Sequence, residues 1–139
     1  IAMIITKELK LSSEGELNII NITDRIDDIV RETSVRNGAC LIFTRSSTST
    51  VTVMEFEPGL VSDIKVALER LFPKNIPYEH EKKWHDGNGH SHVRASMMKP
   101  DLYVPILNGS LALGTWQQIV FIELYIRARE RSIIVQVIS

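Results

Sequence analysis

Hydrophobic positions along this chain follow two rhythms, one of period two and one of period three to four. Met3 to Leu11 alternates apolar and polar residues, and Glu16 to Ile20 does so again after a Glu14-Gly15 turn. Together they predict an N-terminal β-hairpin. At Thr23, a residue type that caps helices, the spacing changes: Ile22, Ile26, Ile29 and Val30 share one face of a helix running to about Ser34. Asp24, Asp27 and Asp28 load its first turns, where the helix dipole favours negative charge. Asn37-Gly38 ends that unit. Ala39 to Thr44 is a continuous apolar run and reads as a buried strand; Thr50 to Glu55 is β-branched and alternating and reads as another.

Pro58 sits at the start of a second helix, where its missing N–H costs nothing. Leu60, Val61, Ile64, Ala67, Leu68 and Leu71 form its apolar side, and it stops before Pro73. Residues 73–89 read as a long loop, a length usually reserved for function or disorder. Ser91 to Met98 reads as a short helix and Leu102 to Leu107 as a strand. Asn108-Gly109 is the strongest hairpin signal in the chain. Ser110 to Tyr125 reads as one long returning strand, with Gly114 at a bulge or a close backbone approach. A turn at Arg127 to Glu130 leads to a last strand, Arg131 to Ile138. About seven or eight strands and two main helices, grouped rather than alternating, predict an α+β fold. We expect a mixed or antiparallel sheet system with helices on one side, in a single domain over residues 1–139.

Composition narrows the function classes. At 139 residues, 44% hydrophobic and 24% charged, the chain can bury a core without staples. A net charge of −1 and the lack of a basic run argue against nucleic acid. Arg127, Arg129 and Arg131 alternate and read as a solvated strand face or a local anion site. Cys40 is the only cysteine, so no intramolecular disulfide can form. No apolar run approaches the roughly 18 residues of a membrane span. The first residues, IAMIITKELKL, are too short and too charged for a signal peptide, so the expected location is the cytoplasm.

The chemistry concentrates in Tyr78 to Ala95, which holds all four histidines, His80, His85, His90 and His92, within thirteen residues. A neutral imidazole is a common metal ligand, and His80, His90 and His92 have a spacing open to a zinc ion with three protein ligands. On a strand His90 and His92 would face one way; on a helix they would diverge. Asp86 or Glu81 can orient a ring. The alternative is a polar loop with satisfied histidines, and His85 reads that way. Ser46, Ser47, Thr48 and Ser49, beside Arg45, offer four hydroxyls after a strand, a phosphate cradle or simply a Ser/Thr-rich turn. Arg94 would add a bidentate contact to such an anion. Cys40, in an apolar strand, reads as a buried small hydrophobe; as a nucleophile it would need a base within reach. Glu55 at a strand end is an acid/base candidate, while Glu57 reads as helix-end charge. Trp116 reads as core or interface, and Gln117 as a ligand-contacting or supporting amide.

Several of these segments together carry a resemblance. G-x-C-x-I-F-T (Gly38 to Thr44), E-x-E-P-G-L-V-x-D (Glu55 to Asp63), Y-x-H (Tyr78 to His80) and G-H-S-H-x-R-A-S (Gly89 to Ser96) are four pieces of it. V-P-I-x-N-G (Val104 to Gly109), L-x-L-G-T-W-Q-x-I (Leu111 to Ile119) and R-x-R-x-R follow in the same order. From Asn37 onward the chain resembles the YjbQ-like proteins, some of which are described as secondary thiamine-phosphate synthases. The resemblance implies a homotrimer with clefts between subunits. It also implies a reaction joining a pyrimidine pyrophosphate to a thiazole phosphate. It favours His80 and His92 as site residues and keeps Cys40 and Glu55 as catalytic candidates. One departure stands out: relatives carry His-Thr-Thr-Ala, or close to it, where this chain has Ser46 to Ser49, so Ser46 replaces a histidine. The expectation is therefore a phosphate-binding transferase centred on His80 and His92, with His90 as a stand-in. The alternative is a non-catalytic metal- or small-molecule-binding protein that has kept the fold.

Overall fold

A computed structural model describes residues 2–139. The elements are β1 (Ile4–Ser12), β2 (Asn18–Asn21), α1 (Thr23–Glu32), β3 (Gly38–Thr44), β4 (Ser49–Met54), α2 (Pro58–Leu71), α3 (Glu79–Trp84), α4 (Gly89–Met98), β5 (Asp101–Leu107), β6 (Ser110–Leu111), β7 (Gln118–Glu123) and β8 (Glu130–Ile138). The strands form two sheets with orders β1-β8-β3-β5-β6 and β2-β7-β4, and every pairing is antiparallel. This is the α+β architecture expected from the hydrophobic rhythm.

Alternation in the five-stranded sheet sends Leu9, Leu11, Cys40, Ile42, Val104, Ile106, Ile133, Val135 and Val137 inward. They meet Val51, Ile119 and Phe121 of the second sheet, together with Ile22, Ile26 and Val30 of α1. The second sheet turns its other side, Val120 and Ile122, to Leu68 of α2 and Ala95 of α4. β7 is thus buried on both faces, which explains the unbroken run Ile119 to Leu124. Burying each of these aliphatic side chains stabilises the fold by about 1.5–3 kcal/mol.

Four details depart from the sequence expectation. β1 and β2 do not form a hairpin, because β1 pairs with β8 and β2 with β7. Thr23 does not cap α1: its Oγ1 accepts from the Ile119 N–H at 2.8 Å, while Asn21 Oδ1 accepts from Thr23 N–H at 3.1 Å. The long strand from Ser110 to Tyr125 is broken between β6 and β7. The Gly114–Gln117 turn lies there and moves the chain from one sheet to the other. The loop over residues 73–89 contains α3. The hairpin signal holds, since Asn108 and Gly109 have φ of 52° and 83°, as a primed turn requires. Among the described residues, no helix is long and apolar enough to cross a membrane.

Cys40 is fully buried on the inner face of β3. Burial pushes its thiol pKa up to about 12, so it is the buried small hydrophobe its strand predicts and not the catalytic candidate kept open by the resemblance. We expect Cys40 to resist a maleimide reagent in the native protein and to react stoichiometrically in denaturant, as read by intact mass. Rapid native labelling would contradict this burial.

Candidate functional site

The two passages between the sheets lie side by side. Residues 45–48 carry the chain from β3 to β4, and residues 124–129 carry it from β7 to β8. The register fixes this, since Ser49 faces Glu123 in one sheet and Thr44 faces Ile133 in the other. Arg131 ties the passages together. Its Nε donates to Glu123 Oε1 at 2.8 Å, and its Nη2 donates to Glu123 Oε2 at 2.5 Å. Its remaining N–H groups reach Ser46 Oγ at 2.7 Å and Thr48 Oγ1 at 3.0 Å. Glu123 also accepts from Ser13 Oγ at 2.6 Å and from the Tyr125 N–H at 3.1 Å. This buried ion pair is fully hydrogen-bonded, the condition under which such a pair is tolerated inside a protein.

Over this floor opens a cavity of about 400 Å³. One wall is Arg45, Ser46, Ser47 and Thr48; the other carries Tyr125, Arg129 and Arg131. The Arg129 guanidinium stacks on the Tyr125 ring, 4.9 Å from its centre. Asn88 and His92, at the start of α4, complete the rim. The Arg45 and Arg129 guanidiniums, several hydroxyls and the positive end of a helix dipole surround one space, with the Glu123-paired Arg131 beneath and no carboxylate in the lining among the described residues. Arginine forks and hydroxyls in that arrangement match phosphate oxygens.

The histidine segment divides. α3 and α4 approach closely at Gly89, where a Cβ would lie 2.6 Å from Tyr78 Cβ. That approach sets His80 against His92, with ring centres 4.3 Å apart. Burial lowers the His92 pKa below the ordinary imidazole value, and the neighbouring His80 lowers it further. Both effects favour the neutral imidazole in the free protein. His80 Nδ1 lies 3.6 Å from Asp86 and 3.9 Å from Glu81.

His90 points elsewhere. Two positions along a helix turn a side chain by about 200°, and His90 is buried with Nε2 2.5 Å from Glu16 Oε1. A zinc ion held by His80, His90 and His92 does not fit this arrangement. The donors brought within 4.8 Å of one another are His80, Glu81 and Asp86. His85 is exposed at the end of α3 in the left-handed region.

Four further expectations are redirected. Arg94 is buried in α4 and donates to the Phe72 carbonyl at 3.1 Å and to Glu69 at 2.8 Å, so it anchors α2 rather than an anion. Gln117 closes a turn, its Oε1 accepting from the Gly114 N–H at 2.8 Å. Glu55 lies beyond the far end of β4, separated from Ser46 by a strand of six residues, a span of about 17–20 Å. Ser49 is buried, paired with Thr44 at 2.8 Å, and supports the loop from beneath. Sequence reasoning passed over Tyr125, Asn88, Glu123 and the specific use of Arg129 and Arg131. A signal was present: a glutamate inside the apolar run Ile119 to Leu124 requires a buried partner.

Comparison with known proteins places the chain. The family profile described as UPF0047 protein YjbQ-like matches residues 7–139. This chain belongs to the YjbQ-like family. A UPF0047 protein of Methanothermobacter thermautotrophicus is 39% identical over 119 residues, covering 86% of this chain and 82% of that one. A UPF0047 protein of Archaeoglobus fulgidus is 36% identical, covering 93% and 98%. Among solved structures, a YbjQ-like protein of unknown function from Sulfolobus solfataricus superposes with a TM-score of 0.94 at 29% identity, covering 99% of both chains. A YjbQ/UPF0047 family protein from Clostridium acetobutylicum gives 0.81 at 34% identity, covering 96% of this chain and 98% of that one. The YjbQ-like fold is thus common to bacterial and archaeal relatives.

Proposed function

We propose that this YjbQ-like protein binds a phosphorylated small molecule in the arginine-lined cavity and transfers an organic group from it. The observation that carries the reading is the convergence of Arg45, Arg129 and Arg131 with Ser46, Ser47 and Thr48 around one space, with His92 on its rim. In the thiamine-phosphate synthase-like reaction, the bond between the pyrimidine methylene carbon and the diphosphate oxygen breaks. A bond from that carbon to the thiazole nitrogen forms, and the diphosphate leaves with the electron pair. Guanidiniums placed where negative charge accumulates lower that barrier. A protonated His92 would donate to the departing oxygen.

The assembly that suits this reading is a homotrimer. The outer face of the five-stranded sheet lines up Ile134 with Phe43 and Leu41 with Tyr103, and Phe43 and Tyr103 are exposed. Light scattering on purified protein should return three times the 15.8 kDa chain mass, and Tyr103→Glu should lower it. A monomeric wild type would remove the trimer.

A second reading is a binding protein without turnover. Ser46, where the family resemblance implies a histidine, has its hydroxyl held by Arg131 and offers no proton-transfer group near neutrality. Incubation with both precursors separates the readings. Thiamine phosphate should form, and His92→Ala should lower its rate by about 100-fold or more while phosphate binding by calorimetry persists. Binding without product would leave only the second reading, and neither binding nor product would end both.

A further inference from the structure

At the opposite end of β4 from the arginine cavity is a second pocket of about 440 Å³, and its chemistry is the reverse. Two aromatic side chains line it in the open: Trp116 is 72% exposed and Phe56 43%. Rings of this size are normally covered, because leaving them in water forfeits much of their burial free energy. The polar groups around them are largely committed to one another. Asn21 Nδ2 donates to Gln118 Oε1 at 3.1 Å. The Glu57 carboxylate accepts from the Gly59 and Leu60 N–H groups at 2.7 and 2.8 Å and so caps α2. The Glu55 carboxylate and the Thr115 hydroxyl have no side-chain hydrogen bond or ion pair among the described residues. No lysine, arginine or histidine lines the pocket.

Two aromatic side chains and one uncommitted carboxylate, with no basic group in the lining, select by charge. An anion meets Glu55 and Glu57 and finds no cation. A neutral apolar molecule covers the rings but strips water from Glu55 without replacing it. A small organic cation, its charge spread over methyl or ring carbons, satisfies both: the rings attract it through their quadrupoles and Glu55 supplies the opposite charge. We propose that the Trp116–Phe56–Glu55 pocket is a binding site for a small organic cation, of the quaternary ammonium or N-alkylated heteroaromatic class. The site stands apart from the arginine cavity and does not depend on the reaction proposed for it.

The experiment uses the full chain carrying Trp84→Phe, so that Trp116 is the only tryptophan. The probes are choline and its uncharged carbon isostere, 3,3-dimethylbutan-1-ol, read by tryptophan fluorescence and repeated by calorimetry. Choline should quench saturably and bind at least about tenfold more tightly than the alcohol, the difference between a charged and a neutral guest over an aromatic face. Glu55→Gln should remove most of that preference, Trp116→Leu should abolish the calorimetric signal, and Arg129→Ala should change neither. Equal affinity for the two probes, or full choline affinity in Glu55→Gln, overturns the proposal. So does blue, unresponsive Trp116 emission, which would mean that a second copy of the chain covers the pocket.

Discussion

Replacing Arg131 by methionine is expected to destabilise the protein by about 3–5 kcal/mol, the usual cost of stranding one member of a buried ion pair. The melting temperature should fall by on the order of 10–20 °C for a domain of this size. The cause is local: without the guanidinium, the Glu123 carboxyl group is left fully buried with only Ser13 and the Tyr125 N–H as partners. Ser46 and Thr48 lose the donors that hold the first passage to the second. Glu123→Leu alone should cost a similar amount. The double variant Arg131→Met/Glu123→Leu should lose clearly less than the sum of the two, because no uncompensated charge remains. Urea denaturation of the four proteins gives the cycle, and strictly additive losses would mean the two groups do not act as a pair.

Sulfate is expected to bind more tightly at pH 6 than at pH 8, by roughly tenfold for each unit by which the anion raises the His92 pKa. Sulfate carries the same charge across that range, so the dependence belongs to the protein. Burial and His80 depress the His92 pKa, and the free protein therefore holds His92 neutral at pH 8. A dianion in the cavity favours the imidazolium, so binding takes up a proton and affinity grows as pH falls, levelling off below the pKa of the free protein. His92→Gln should flatten the profile, and an unaltered slope in that variant would take the proton uptake away from His92. The same depression has a consequence without ligand. Below pH 6.5 the unfolded chain binds a proton at this position before the folded chain does. Stability therefore rises with pH through that window, and His92→Gln should lose this contribution.

Much of the fold was legible because each strand that faces one sheet alternates and each helix shows an apolar stripe. Ile22, Ile26 and Val30 placed α1 within a residue or two, and Asn108-Gly109 located its turn. What could not be read was partnership. A strand's hydrogen bonds do not announce which strand receives them, so β1 and β2 passed for a hairpin. The clustering of hydroxyls beside Arg45 was legible, and the structure puts Ser46, Ser47 and Thr48 on one cavity wall while Ser49 turns inward to Thr44. Arg94 was not legible as an anchor: its family motif sits next to the histidines, yet the helix turns it toward Glu69. His90 failed the same way, since neighbours in sequence need not be neighbours in space. Arg131 lay hidden in an alternating basic triplet whose middle and last members point inward at the cavity.

The pairing of β1 with β8, which joins Ile4 to Ile138 and Ser12 to Glu130, sets the order in which this molecule comes together. β1 is made long before its partner and stays unpaired until residues 130–138 have been synthesised. Closing a contact across almost the full chain is slow compared with forming local structure. The slow step in refolding should therefore be the docking of β1, and the intermediate before it would present the free edge of β8, able to recruit β1 from another chain.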